Sequence, residues 1–385
     1  MYLHAPEIPK AASPPETAET LSFAEQRRAI KKIKRVTKVT GAVLSLCVAV
    51  GAYAGDVHAN QLREQAATVQ LDVHDIETYN LGGATTSFID GYGAMNANFL
   101  ANKFGEAVQL VTEGPIRSAD FSDAPIEGSH LGDTIVEDAN NSNQKRVSIF
   151  GFSTGGILAT ESATEIITDT ENDLAVEVIF MAATPSGPQS LRDGEIEKID
   201  ILNFVADFPG AKYSSCVRWL ISMASDYEQI DTGNPSDFFA VSAENWQSVA
   251  NHSEPGVRQL DDQALAIMNA DFSANFNKIS EMRGIKQMPV IVYFAAEDPD
   301  ADTTVDNEAA YQEIREAALK AGLIFLVYKV PGAVHSVYNT SVESYQTVLA
   351  KAKDEIQSMV EKERLLLEAA QSFSISAPSA SYHLQ

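Results

Sequence analysis

Ser153 lies in Gly151-Phe152-Ser153-Thr154-Gly155, and His335 lies in Val330-Pro331-Gly332-Ala333-Val334-His335-Ser336. A serine hydroxyl is a weak nucleophile and needs a nearby base to take its proton. Imidazole does this at physiological pH because its unperturbed pKa is close to neutral. The glycines two positions either side of Ser153 suit a sharp turn in which neighbouring backbone comes close to the serine and a Cβ would clash. Such a turn needs a strand that ends at the serine and a helix that begins just behind it. Arg146–Phe152 reads as that strand and residues 155–168 as that helix, so free N–H groups at the helix start would face a developing oxyanion. Of the seven histidines, His335 alone directly follows a late strand. His4 precedes the apolar N-terminal run, His58 falls in a connector and His383 in the tail, while His74, His130 and His252 lie elsewhere.

A base of this kind is usually oriented by a carboxylate. Glu297-Asp298-Pro299-Asp300-Ala301-Asp302 follows the expected strand Val290–Ala296 and precedes a helix from Asp306. Counting from the strand end points to Asp298. Counting back from the helix, through Asp302-Thr303-Thr304-Val305, points to Asp302. Both stand as candidates. Other chemistries find no foothold: there is no His-Glu-x-x-His pattern or close His/Cys cluster for a metal, and no cofactor motif. Gly91-Tyr92-Gly93 lacks the third glycine of a dinucleotide loop, and no phosphate-binding lysine loop occurs.

The elements that must position these residues alternate as in a parallel α/β sheet. Val69–Val73 and Glu77–Gly82 read as the first strands, residues 92–104 as a helix, Val108–Val111 as a strand, and residues 128–139 as a helix. Leu174–Ala182 is almost wholly apolar, as a strand buried on both faces should be. From Thr184 to about Met288 the alternation stops. Helical stretches around 197–208, 214–223, 242–251 and 263–279 carry both tryptophans, Trp219 and Trp246, with Phe208, Tyr213, Tyr227, Phe238, Phe239, Phe272 and Phe276. These aromatic residues either form the block's own small core or line an apolar substrate pocket. Alternation resumes with Val290–Ala296, a helix over 306–321, the strand Leu323–Val330 and a long helix over 341–370.

The 385 residues carry 28 basic and 53 acidic side chains, a formal net charge of −25. Eight of the basic and four of the acidic residues fall in the first 38, which leaves 20 against 49 in the remainder. So acidic a surface repels phosphate backbones, and nucleic-acid binding is not expected. Two cysteines, Cys47 and Cys216, provide no disulfide framework. Residues 1–38 read as a polar then basic cytoplasmic tail, ending in Arg27, Arg28, Lys31, Lys32, Lys34, Arg35 and Lys38. The uncharged run from Val39 to Gly55 follows it as a signal peptide or signal anchor. Ala52-Tyr53-Ala54 resembles a cleavage site. The expectation is a catalytic body exported or anchored outside the cytoplasm, with a polar connector over 56–67 and a frayed tail over 372–385.

On the elbow around Ser153, the loop Val330–Ser336 and the Asp302–Val305 turn, the chain resembles the α/β-hydrolases over roughly 68–370, in the order Ser, Asp, His. The resemblance implies a core of residues 56–184 and 289–371, a mostly parallel sheet flanked by helices, and a helical lid over 185–288. It implies a cofactor-independent, metal-independent serine hydrolase acting on an ester, thioester or amide of a small or lipid-like acyl substrate, most simply an esterase. It further implies an oxyanion hole of the Thr154 and Gly83 backbone N–H groups, Gly83 coming from Asn80-Leu81-Gly82-Gly83, where the family's common His-Gly pair is missing. An acyltransferase or haloperoxidase-like enzyme on the same scaffold, or a catalytically silent surface-anchored binding module, are the alternatives.

Overall fold

The computed structural model describes residues 50–74, 83–225, 235–251, 256–335 and 338–376. The expected strand Glu77–Gly82 and most of the apolar N-terminal run lie outside them. Among the described residues no helix is long and apolar enough to cross a membrane. The expected connector at 56–67 is instead helical, forming most of α1 (Val50–Ala66).

Seven strands form one sheet: β1 (Gln70–His74), β2 (Ala84–Ile89), β3 (Glu113–Asp120), β4 (Arg146–Phe152), β5 (Ala175–Ala182), β6 (Val290–Ala296) and β7 (Ile324–Val330). Their spatial order is β1-β3-β2-β4-β5-β6-β7. β1 runs antiparallel to β3, and every other pairing is parallel. The order reverses between β2 and β4. The connections that leave the strands on either side of such a reversal run to opposite faces of the sheet and open a crevice at the carboxyl ends, which is where a ligand can sit.

Side chains alternate faces along each strand, and both faces are buried. Val147 and Ile149 join one apolar cluster with Ile291, Tyr293 and Ala295, while Phe150 and Phe152 join the other with Val292, Phe294 and Ala296. The second face carries a row of rings across neighbouring strands: Phe88 on Phe150 at 4.9 Å, Phe150 beside Phe180 at 5.9 Å, and Phe180 on Phe294 at 6.3 Å. Burying a ring of this size stabilises by about 2–3 kcal/mol. Against this face pack α2 (Asn98–Thr112), through Leu100, Phe104 and Val108, and α11 (Tyr338–Ser376), through Tyr345, Leu349 and Ile356. The other face is covered by α3 (Gly128–Asn141), α4 (Thr154–Thr168) and α10 (Asn307–Lys320).

Two expected elements shift. The run Val108–Val111 is the last stretch of α2, not a strand; Leu100, Phe104, Val108 and Val111 continue a helical spacing on the buried face. The chain then turns at Glu113, whose φ is 58°, into β3. The strand beside β4 is β2, which lies in none of the strands expected from the sequence.

Between β5 and β6 the chain forms α5 (Glu195–Ala206), α6 (Ser215–Ser225), α7 (Pro235–Ala250), α8 (Val257–Met268) and α9 (Phe272–Glu281). The aromatic residues of this block divide. Trp219 and Trp246 meet edge to face at 6.4 Å, with Trp219 Nε1 donating to the Ser242 carbonyl. Phe272 and Phe276 belong to the same apolar cluster as the sheet. Phe204 and Phe208 instead stand 64% and 54% exposed, in contact with each other. α1 meets this block through polar contacts. Asp56 accepts the Ser215 N–H and hydroxyl, Asn60 donates to the Tyr213 carbonyl, and Glu64 pairs with Arg258 at 3.4 Å.

Candidate active site

β4 is a buried strand that runs straight into Ser153, whose backbone sits at φ 51°, ψ −126°. This is a left-handed conformation that non-glycine residues rarely adopt, and it is held by surrounding structure. The Ser153 N–H donates to the Ala182 carbonyl at the end of β5, and the Ser153 carbonyl accepts from Gly156 N–H as α4 starts. The motif glycines are required by close approach. A Cβ on Gly151 would lie 2.2 Å from the Gly155 carbonyl oxygen, and one on Gly155 would lie 2.4 Å from that of Ile89.

The geometry joins three of the expected residues. Ser153 Oγ lies 2.8 Å from His335 Nε2, and His335 Nδ1 lies 3.0 Å from Asp302 Oδ2. Ser153, His335 and Asp302 are 5%, 9% and 1% exposed, so the relay is largely shielded from water. His335 follows the turn after β7 and its ring stands 5.7 Å from that of Phe152. With Asp302 accepting at Nδ1, the hydrogen is placed there and Nε2 is left to receive the serine proton, which is the orientation a general base needs.

Asp302, not Asp298, is the carboxylate that reaches His335. Asp298 is exposed and caps the short 3-10 turn Pro299–Ala301 by accepting the Asp300 N–H. Asp302 bends back on its own loop, its Oδ1 accepting the N–H groups of Thr304 and Val305 at 2.9 Å each, while Asn307 Nδ2 donates to Oδ2. Burial pushes the Asp302 carboxyl up. The hydrogen bond and charge of His335 and the two backbone donors outweigh that push and hold it below the usual carboxylate range. The loop is tied from outside as well: Arg192 Nε donates to the Asp302 carbonyl, Arg192 N–H to that of Thr304, and Tyr293 OH lies between the Thr184 carbonyl and Asn307 Oδ1. Arg192 and Tyr293 carried no sequence signal, since each reaches backbone more than a hundred residues away, and Asn307 reads in sequence only as a residue at the start of a helix.

Gly83 is not at this site. It precedes β2, and a Cβ on it would lie 2.0 Å from the Glu113 carbonyl carbon at the start of β3. Thr85 pairs with Val147 and Ile89 with Gly151, so Gly83 lies at the far end of the sheet from Ser153, on the order of 20 Å away at the rise of a strand. The loop over Ser153 is the one at the other end of β2, Asp90-Gly91-Tyr92-Gly93. A Cβ on Gly91 would come within 2.8 Å of Ser153 Cβ and 3.4 Å of its Oγ. The signal was the glycine pair 91 and 93, which also fits a loop that brings backbone close to a nucleophile. Thr154, the other expected donor, is the first residue of α4, where helix N–H groups have no partner within the helix.

The remaining described histidines lie elsewhere. His74 bonds to Ser118 and Asn102, and His130 stands beside Glu127 on an exposed turn. Among the described residues no three His, Cys, Asp or Glu side chains converge as metal ligands.

A mostly parallel sheet with an antiparallel edge strand, a strained serine after β4, an acid after β6 and a histidine after β7 are the architecture and chain order of the α/β-hydrolase fold. No family model and no curated protein matches the sequence. Solved structures similar to it include a highly thermostable carboxyl esterase from Bacillus coagulans, 13% identical, covering 77% of this chain and 96% of that one at a TM-score of 0.48. A carboxylesterase of the ammonia-oxidizing thaumarchaeon Nitrososphaera gargenis is 13% identical, covering 78% and 96% at 0.41. A bromoperoxidase from Bacillus anthracis is 15% identical, covering 74% and 94% at 0.45. At these identities the likeness is one of fold.

Proposed function

We propose that this chain is a metal-independent serine hydrolase that cleaves an ester, thioester or amide, an ester first among them, through an acyl-enzyme. The observation that carries the proposal is the hydrogen-bonded line from Ser153 Oγ through His335 to Asp302, set at a strained turn on a strand tip. His335 Nε2 takes the proton of Ser153 as Oγ attacks the carbonyl carbon, and Asp302 stabilises the imidazolium that results. The same proton then goes to the leaving group. Water, deprotonated by His335, releases the acyl group from Ser153.

Oxyanion donors are proposed at Thr154 N–H and Tyr92 N–H, in place of Gly83. In the loop over Ser153 the amides on either side of Tyr92 are engaged: Gly91 N–H donates to Asp90 Oδ1, Gly93 N–H to Gln263 Oε1, and Ala94 N–H to the Gly91 carbonyl. That leaves the Tyr92 amide to face an incoming carbonyl oxygen. We also place the body outside the cytoplasm, exported or anchored, on the strength of the basic cluster Arg27–Lys38 before an uncharged apolar run.

A fluorophosphonate probe tests the reaction class. The wild-type protein should label at Ser153, and Ser153→Ala should lose labelling while keeping its melting profile. Absence of labelling in the wild type would leave a silent binding module on this fold. Hydrolysis products from model esters with a competing alcohol distinguish hydrolysis from acyl transfer.

A further inference from the structure

We infer that Gln263, on α8 of the inserted block, is a positioning residue that sets the loop over Ser153 in its productive shape. The inference rests on the serine-hydrolase reading. Gln263 is 1% exposed, and every hydrogen-bonding atom of its amide is spent on that one loop. Its Oε1 accepts the Gly93 N–H at 2.8 Å, and its Nε2 donates to the carbonyls of Gly91 at 3.2 Å and Ala94 at 3.1 Å. These bonds enclose Tyr92, the residue between the two glycines, from both sides.

A four-residue turn with glycine at two positions has many backbone shapes of similar energy. The Ala94-to-Gly91 hydrogen bond closes the turn and holds the peptide plane that carries the Tyr92 N–H at one point only, the Gly91 carbonyl, from within the turn itself. A buried primary amide that reads one N–H and two carbonyls fixes that plane, because any rotation of the Tyr92 peptide must break at least one of its bonds. An oxyanion donor has to point where charge develops, and misplacement by about an ångström costs roughly a hundredfold in rate. Gln263 thereby links helix α8 to the chemistry without touching the substrate.

The same helix supplies a matched control one turn earlier. Gln259 is 2% exposed and uses its amide in the same way on a different segment, donating to the Ser122 and Ala124 carbonyls and accepting the Gly256 N–H. It has similar burial and an equal number of bonds, and none of them goes to the loop over Ser153.

The test compares the full chain with Gln263→Ala, Gln263→Glu and Gln259→Ala. Gln263→Glu keeps the volume and the acceptor for Gly93 but faces two carbonyls with an oxygen, so it separates hydrogen bonding from packing. Both Gln263 variants should lose about ten- to a hundredfold in kcat on a model ester and in fluorophosphonate labelling rate, with KM changed less than about threefold. Gln259→Ala should lower Tm as much as Gln263→Ala does and keep kcat within about threefold. In the wild-type protein the Gly93 amide should be protected from hydrogen exchange, a readout independent of any variant. A Gln263→Glu variant with wild-type kcat, an equal kcat loss in Gln259→Ala, or a fast-exchanging Gly93 amide would each overturn the inference while wild-type labelling at Ser153 leaves the hydrolase reading intact. A wild type that does not label removes the hydrolase reading itself, and this role with it.

Discussion

Replacing Asp302 by asparagine removes one charge and almost no volume, and the surrounding donors dictate how the amide must lie. Oδ1 of Asp302 accepts two backbone N–H groups, from Thr304 and Val305, so the single amide oxygen of an asparagine belongs there. Its NH₂ then faces His335 Nδ1, which must become an acceptor. The imidazole proton moves to Nε2 and points at Ser153 Oγ, where a proton acceptor is needed. A base held in the wrong tautomer, without its stabilising carboxylate, loses about 10⁴-fold in kcat, which is about 5.4 kcal/mol of barrier at 1.36 kcal/mol per factor of ten. The backbone N–H groups keep their acceptor, and Asn307, whose Nδ2 donates to Oδ2, turns its amide to present its oxygen to the new NH₂, so Tm should move little. Single-turnover labelling by fluorophosphonate and steady-state hydrolysis of a model ester both read the loss. Asp298→Asn, at the exposed cap, should stay within about twofold of wild type on both. An Asp302→Asn protein that keeps its melting profile and works within tenfold of wild type would refute the assignment of Asp302 as the orienting acid.

Two further outcomes follow from the geometry. Gly91→Ala places a methyl 2.8 Å from Ser153 Cβ; kcat should fall at least tenfold, with unfolding midpoints changed far less, and an unimpaired variant would show that the 90–93 loop lies elsewhere during turnover. Glu64, nearly buried where α1 meets Arg258, is pushed up to about 7 by desolvation, which the guanidinium only partly offsets. A raised carboxyl keeps its proton in the folded chain after the unfolded chain has lost it, so between about 4.5 and 7 stability falls as pH rises, by about 1–3 kcal/mol from this group. Glu64→Gln should flatten that part of the curve. Urea midpoints at pH 5 and pH 7.5 that shift equally in both proteins would contradict it.

The line from Ser153 through His335 to Asp302 was legible because each member follows a strand that reads clearly. Arg146–Phe152, Val290–Ala296 and Leu323–Val330 are apolar runs, and the turn after each carries its residue. Asp302 could be separated from Asp298 only in space, since both carboxylates sit between the same strand and helix. The failure at Gly83 has a physical origin in β2. Its six residues are all buried, yet Thr85, Thr86 and Ser87 are hydroxyl residues, and the oxygens of Thr85 and Ser87 have no hydrogen-bond partner among the described residues. A strand so poor in apolar side chains is invisible to a search for apolar runs, so the loop after it was assigned to a segment upstream. Reading Val108–Val111 as a strand came from the same search, where four residues of a helix cannot be told from a short buried strand. Gln263 could not be found at all, because a glutamine on a helix gives no sign of which backbone it will meet.

The seam between α1 and the inserted helices bears on how the chain tolerates clipping. The compact unit starts at Ala54, and a cut directed by Ala52-Tyr53-Ala54 would fall one residue further on, before Gly55. A protease acting there would remove the greasy leader and spare Asp56, whose carboxylate serves as the N-terminal cap of α6 from another part of the chain. Severing the backbone about a dozen residues later would take that carboxylate from the Ser215 N–H and leave the start of α6 with the Ser214 hydroxyl on Val217 N–H as its cap.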